Sequence, residues 1–208
     1  MENHIVIFNK HNLNLIYKNY DMVVFSEDVD KCFMLLNNLK AYSKHFHKFN
    51  ISNISKLTCD DLIPDFRNEN AKKICDIIKK DIDSVCCAFG RENFDFRIEL
   101  LDSPSCVLFH KDNVECRVIK TYLGPGTQWV TRDNVNWDYC NATKDDVNLD
   151  SFEIINTKTI KDLKKIYTAP TGSIMAMRGS KLSNTPFIHR SNPNCNSENK
   201  RFVLIIDI

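Results

Sequence analysis

The sequence predicts an α+β fold: a helical N-terminal part over about residues 1–92, then short strands over about residues 93–208, closed into a sandwich or barrel such as a jelly roll. Three observations carry this. Apolar residues recur at helical spacing in the first part, and from Phe94 the period switches to two. Of five glycines, four (Gly124, Gly126, Gly172, Gly179) fall in the second part, where tight turns need the backbone freedom that glycine gives. No internal repeat and no linker interrupts the 208 residues, which therefore suit a single domain.

In chain order, "IVIF" and "DMVVF" have the apolar, β-branched character of short strands. "SEDVDKCFMLLNNLKAYSKHF" predicts a helix, with Ser26 as N-cap, Glu27 and Asp28 in the first turn, and Val29, Cys32/Phe33, Leu36 and Leu39 along one face. "NENAKKICDIIKKDIDSVCCAF" predicts a second, with Ala71, Ile74/Cys75, Ile78, Ile82 and Val85/Cys86 on its apolar stripe. "FDFRIELL", "ECRVIKTYL", "TQWV", "GSIMAMRG", "TPFIHR" and "RFVLIIDI" are β-type runs bounded by turn residues. The polar span Thr131–Lys165 is expected to be an insertion between strands, and its basic stretch "KTIKDLKKIY" a solvated helix face.

Composition narrows the function classes. Lys+Arg is 28 against Asp+Glu 27, so nothing calls for a nucleic acid or an anionic membrane as partner. Nine cysteines, an odd number with no C-x-x-C spacing and several within apolar runs, fit reduced, buried thiols and a cytoplasmic location. There is no basic start followed by an apolar core, and no run near 18 apolar residues, so neither a signal peptide nor a membrane span is expected.

The chemistry-bearing residues lie in the β part. His110 and Asp112, two apart at the mouth of a strand, point to one face, where an imidazole nitrogen and a carboxylate oxygen can converge on one ion. H-x-D arises easily by chance in a chain with six histidines, and a plain hydrogen-bonded pair is the alternative. A third ligand must come from elsewhere. His4, His11, His45 and His47 belong to the helical part, which leaves His189, at the end of an apolar run. Two histidines and one carboxylate form the ligand set of a non-haem Fe(II) site with three positions open, and the same set can hold zinc with a water.

Arg201 heads the last strand. There its planar fork suits a small carboxylate ligand, or else a structural ion pair with Asp207 or Glu99. Tyr122 could offer its hydroxyl to the same ligand if its strand turns it inward; a core tyrosine is the alternative. Gly124-Pro125-Gly126 reads as a turn, Trp129 as a core residue or part of a pocket wall, and Arg190 as solvated or at a pocket mouth. Cys106 and Cys116 flank the H-x-D. A thiolate there would favour zinc over iron, whereas the plain reading is buried thiol. No Ser-His-Asp or Cys-His arrangement comes with supporting motif context, which disfavours hydrolase chemistry.

His110-x-Asp112, then His189, then Arg201 on the final strand resembles the iron- and 2-oxoglutarate-dependent dioxygenases of the double-stranded β-helix, cupin-like fold. "APTGSIMAMRG" is similar to the strand that cupin-like proteins place shortly before the distal histidine. More closely, "RVIKTYLGPGTQWV", "GSIMAMRG", "HRS" and "RFVLIID" resemble a bacterial domain-of-unknown-function family, over about Cys106–Asp207, with Arg178 where that family has lysine.

The resemblance implies a double-stranded β-helix core under a helical layer. It implies Fe(II) on His110, Asp112 and His189, 2-oxoglutarate anchored by Arg201 with Tyr122, and hydroxylation or demethylation of a substrate. That substrate could be a small metabolite, a peptide side chain or a nucleobase. Members of the family are linked with zinc-responsive gene sets, which implies as a rival a metal-binding protein without turnover. A non-catalytic interaction module is the second rival, and the oligomeric state stays open.

Overall fold

The computed structural model describes residues 4–6, 10–18, 20–140 and 151–208. Among the described residues, ten strands form two sheets: β1 (His4–Val6), β2 (Met22–Ser26), β3 (Tyr42–Asn50), β4 (Asn93–Leu101), β5 (Cys116–Leu123), β6 (Gln128–Trp129), β7 (Tyr167–Thr168), β8 (Ser173–Arg178), β9 (His189–Arg190) and β10 (Arg201–Asp207). The large sheet has the order β1-β2-β8-β5-β10-β4-β3 and the small one β7-β6-β9. All pairings are antiparallel except β1 with β2. Of the "IVIF" run, Ile5 and Val6 lie in β1, while Ile7 and Phe8 fall outside the described residues.

The alternating runs of the second half appear as strands because each can bury one face on each side of the large sheet. On β10, Phe202, Leu204 and Ile206 face the helical layer, and Val203 and Ile205 face the small sheet. The helical layer is dominated by the long helix Glu69–Phe89. Asn68 caps its first turn through its side chain, and Gly90 ends it at φ +62°, a left-handed conformation that glycine adopts without strain. Its stripe Ala71, Ile74, Ile78, Ile82 and Val85 packs with Phe33, Ile98 and Phe202 into the larger core. A second core, with Met175, Met177, Phe187, Val203 and Ile205, lies between the sheets. A third, with Phe109, Val130, Val135, Ile160 and Ile188, joins the small sheet to the polar insertion.

The helix expected from Ser26 is corrected. Asp30, not Ser26, is the cap, and it opens a 3-10 helix over Lys31–Asn38 only. Tyr42–Asn50 is β3, paired along β4 with Tyr42 opposite Leu100 and Phe46 opposite Phe96. The partner strand supplies hydrogen bonds and stacked aromatics that outweigh the local helical pattern; the Phe46 and Phe96 rings lie 4.4 Å apart. The N-terminal part is thus not simply a helical layer, since β1, β2 and β3 form both edges of the large sheet. The insertion contains the helices Trp137–Cys140 and Phe152–Thr159, and residues 141–150 of it lie outside the described residues. No described helix is long and apolar enough to cross a membrane.

Candidate metal centre

The space between the sheets narrows to a cavity of about 160 Å³, floored by β4, β5 and β10 and walled by the His110 segment and β9. His110 and His189 are brought together by the backbone: each donates its N–H to the other's carbonyl, at 2.9 and 3.1 Å. The His110 segment is also held from outside. Asn156, in the insertion, accepts the Phe109 N–H and donates to the Val107 carbonyl, both at 2.9 Å. Asp112 is fixed where its carbonyl accepts the Ser180 N–H at 2.9 Å. Next to it, the chain passes so close to Gly179 that a Cβ there would stand 2.0 Å from the Val114 carbonyl oxygen.

One ligand atom each from His110, Asp112 and His189 fall within 4.8 Å of one another. His189 Nε2 lies 3.3 Å from Asp112 Oδ2, and His110 Nε2 lies 3.7 Å from Asp112 Oδ1. Asp112 Oδ2 is buried with no hydrogen-bond partner. That is a costly state for a carboxylate oxygen, and a cation would relieve it. Burial, reinforced by the charges of His110, Arg117 and Arg201, holds His189 well below the usual histidine pKa, so its ring is neutral and able to ligate. Burial also pushes His110 down, but the Cys106 side chain and the Leu108 carbonyl outweigh it and the net direction is up. His110 Nδ1 sits 2.8 Å from that carbonyl, which leaves Nε2 for the ion. Two imidazoles and one carboxylate with an orphaned oxygen fit a divalent metal.

Arg201 lies in the same cavity. It is buried, its Nη1 donates to Ser191 at 3.1 Å and its Nη2 to Thr127 at 2.6 Å, and its Nε has no partner. Burial draws its pKa down to about 10. Neither carboxylate considered for it is engaged with it: Glu99 pairs with Arg97, and Asp207 pairs with Arg97 and Arg117. Among the described residues, Arg201 is a buried cation without a paired anion.

Tyr122 is not brought to this cavity, and its expected part in binding 2-oxoglutarate is corrected. On β5 it shares the face of Val118 toward the helical layer, where its hydroxyl donates to Asp81 at 2.9 Å and its ring stacks on Phe33 at 4.7 Å. Trp129 stacks on Tyr167 beside the second core. Arg190 sits at the cavity edge, with its guanidinium 4.5 Å above the Phe109 ring and Nε donating to Gln128. Cys106 lines the cavity without joining the three-ligand group, and Cys116 is buried with its thiol pKa pushed up.

Arg117, which sequence reasoning missed, reaches the site from β5. Its Nη1 donates to Asp112 Oδ1, while Nε and Nη2 hold both oxygens of Asp207 at 2.6 and 2.9 Å. The available signal was the alternation of "CRVIKTYL", which puts Arg117 on the face of Ile119 and Thr121 rather than that of Tyr122.

The three side chains thus form a candidate metal site between the two sheets. Residues 27–207 match the family described as "Protein of unknown function (DUF1826)", and the chain belongs to it. No curated protein shows significant similarity to the chain. Among solved structures, that of a full-length Neurospora crassa protein crystallised in complex with alpha-KG is similar at 9% identity and a TM-score of 0.41, over 95% of this chain and 78% of that one. A likeness that loose carries no argument about chemistry.

Proposed function

We propose that this protein is an Fe(II)- and 2-oxoglutarate-dependent oxygenase, of the hydroxylase or demethylase type, on a double-stranded β-helix core. The observation that carries the proposal is a two-histidine, one-carboxylate group whose histidines line the same cavity as a buried arginine with no paired anion. The strand order supports the fold. From β4 onward the chain alternates between the large sheet (β4, β5, β8, β10) and the small one (the His110 segment, β6 with β7, β9). Nine free thiols support a reducing, cytoplasmic setting.

His110, Asp112 and His189 would hold the ion, and Arg201 would receive the distal carboxylate of 2-oxoglutarate. Fe(II) bound there with 2-oxoglutarate supplies the oxidation, in which dioxygen is divided between succinate and the substrate with loss of carbon dioxide. Ser191 and Thr127 fix the guanidinium so that little motion is needed on binding. At about 160 Å³ the cavity is smaller than ordinary drug-sized pockets of roughly 300–1,000 Å³, so a small diacid fits inside and the substrate approaches from the mouth.

The test is uncoupled turnover of 2-oxoglutarate to succinate by purified protein with Fe(II) and ascorbate. Slow turnover in wild type, abolished by Asp112→Ala and by His189→Ala, supports the reading. Metal retention without 2-oxoglutarate binding or turnover overturns it in favour of a zinc-type binding protein. The absence of any metal affinity favours a non-catalytic module.

A further inference from the structure

At the floor of the cavity, four charged side chains on three neighbouring strands and Asp112 beside them alternate in sign. Glu99 Oε1 accepts from Arg97 Nε at 2.8 Å, and Arg97 Nη1 stands 3.5 Å from Asp207 Oδ2. Asp207 holds Arg117 with both oxygens, and Arg117 ends on Asp112 Oδ1. The register aligns the chain: Arg97 lies opposite Ile205 on β10, and Asp207 opposite Arg117 on β5.

Such a partly buried array is a weak stabiliser, because desolvation of its charges offsets much of their attraction. Its geometry does something more specific. Arg117 is clamped from behind by two hydrogen bonds, so its remaining nitrogen is aimed at one oxygen of Asp112 and no other. That oxygen, which also stands 3.7 Å from His110 Nε2, carries the arginine's hydrogen bond, and the other, Oδ2, has none and faces His189 at 3.3 Å.

We propose that Arg117, braced by Asp207, is the positioning residue of the metal centre: it makes Asp112 a ligand through Oδ2 alone and so keeps coordination positions open for small molecules. The inference rests on the metal-site reading above. Two hydrogen bonds from behind and one in front hold the guanidinium in place, so turning Oδ1 onto the ion would cost Asp112 that hydrogen bond, whereas Oδ2 is free to ligate.

The experiment is titration of full-length protein with Co(II), following visible absorption and competition with a chelator. Arg117→Met is expected to weaken Co(II) binding about 10- to 100-fold and to change the spectrum as Asp112 becomes free to chelate. Arg117→Lys is expected to restore part of the affinity but not the wild-type spectrum. Asp207→Asn, which keeps the arginine and its bond to Asp112, gives a smaller loss and decides the matter if Arg117→Met does not fold. Wild-type affinity and spectrum in Arg117→Met, or in Asp207→Asn where only that variant folds, overturn the positioning role alone. Failure of wild-type protein to bind Co(II) overturns the metal centre itself.

Discussion

Arg201→Met separates a ligand-binding arginine from a structural one, because only the structural role predicts a large loss of stability in the metal-free protein. Burial lowers the Arg201 pKa to about 10. At ~1.4 kcal/mol per pKa unit, this is on the order of 3 kcal/mol against the buried charge. Methionine removes that penalty and fills similar space, but it forfeits the bonds from the charged guanidinium to Ser191 and Thr127, about 1.5 kcal/mol each. The two nearly cancel, so the metal-free variant is expected to melt close to wild type. The assay is thermal unfolding, repeated with Mn(II) and 2-oxoglutarate. Wild type gains about 2.7 kcal/mol at a hundredfold excess of ligand over Kd, and the variant gains nothing from 2-oxoglutarate. If metal-free Arg201→Met melts several degrees below wild type, and ligand still stabilises it, Arg201 holds the sheets together and binds nothing.

The same contacts make three further predictions. Tyr122→Phe leaves 2-oxoglutarate and metal binding unchanged but costs about 1 kcal/mol in a urea melt, because the hydroxyl serves Asp81 in the other core; weakened ligand binding would contradict the placement. Gly126→Ala puts a Cβ 1.9 Å from the Ala169 carbonyl oxygen and is expected to destabilise by about 3 kcal/mol, read from the same melt; a neutral result would mean that the turn can shift without cost. Acid weakens the metal-free protein. The folded state keeps His189 neutral while the unfolded chain protonates near 6.5, so stability falls as pH drops below about 6.5. His110, shifted upward, opposes this in part, since its contribution is full below 6.5 and fades as pH rises through its folded value. His189→Gln is therefore expected to flatten the acid limb of a Tm–pH curve, and an unchanged limb would assign the loss to other groups.

The long helix was legible because Asn68, the apolar stripe from Ala71 to Val85 and Gly90 are all local signals. The H-x-D, the lone β-half histidine and the arginine at the head of the last strand were legible as residues, and their convergence was an expectation that only the two sheets could realise. The stretch from Tyr42 to Phe46 was misread as the end of a helix, since it follows the helical spacing of Val29 to Leu39, while its true neighbours from Phe96 to Leu100 are distant in sequence.

Tyr122 and Arg117 show where local reading stops. Strand alternation on β5 already put them on opposite faces, but which face met the cavity depended on where the long helix and the small sheet docked. By itself, then, the sequence determined the chemical groups, their parity along each strand and the positions where only glycine fits. The tertiary structure decided which parity faced the site, that Arg201 would be buried without an anion, and that Arg117 would be clamped between Asp207 and Asp112. Those depend on hydrogen bonds between strands far apart in the chain, and no local pattern encodes them.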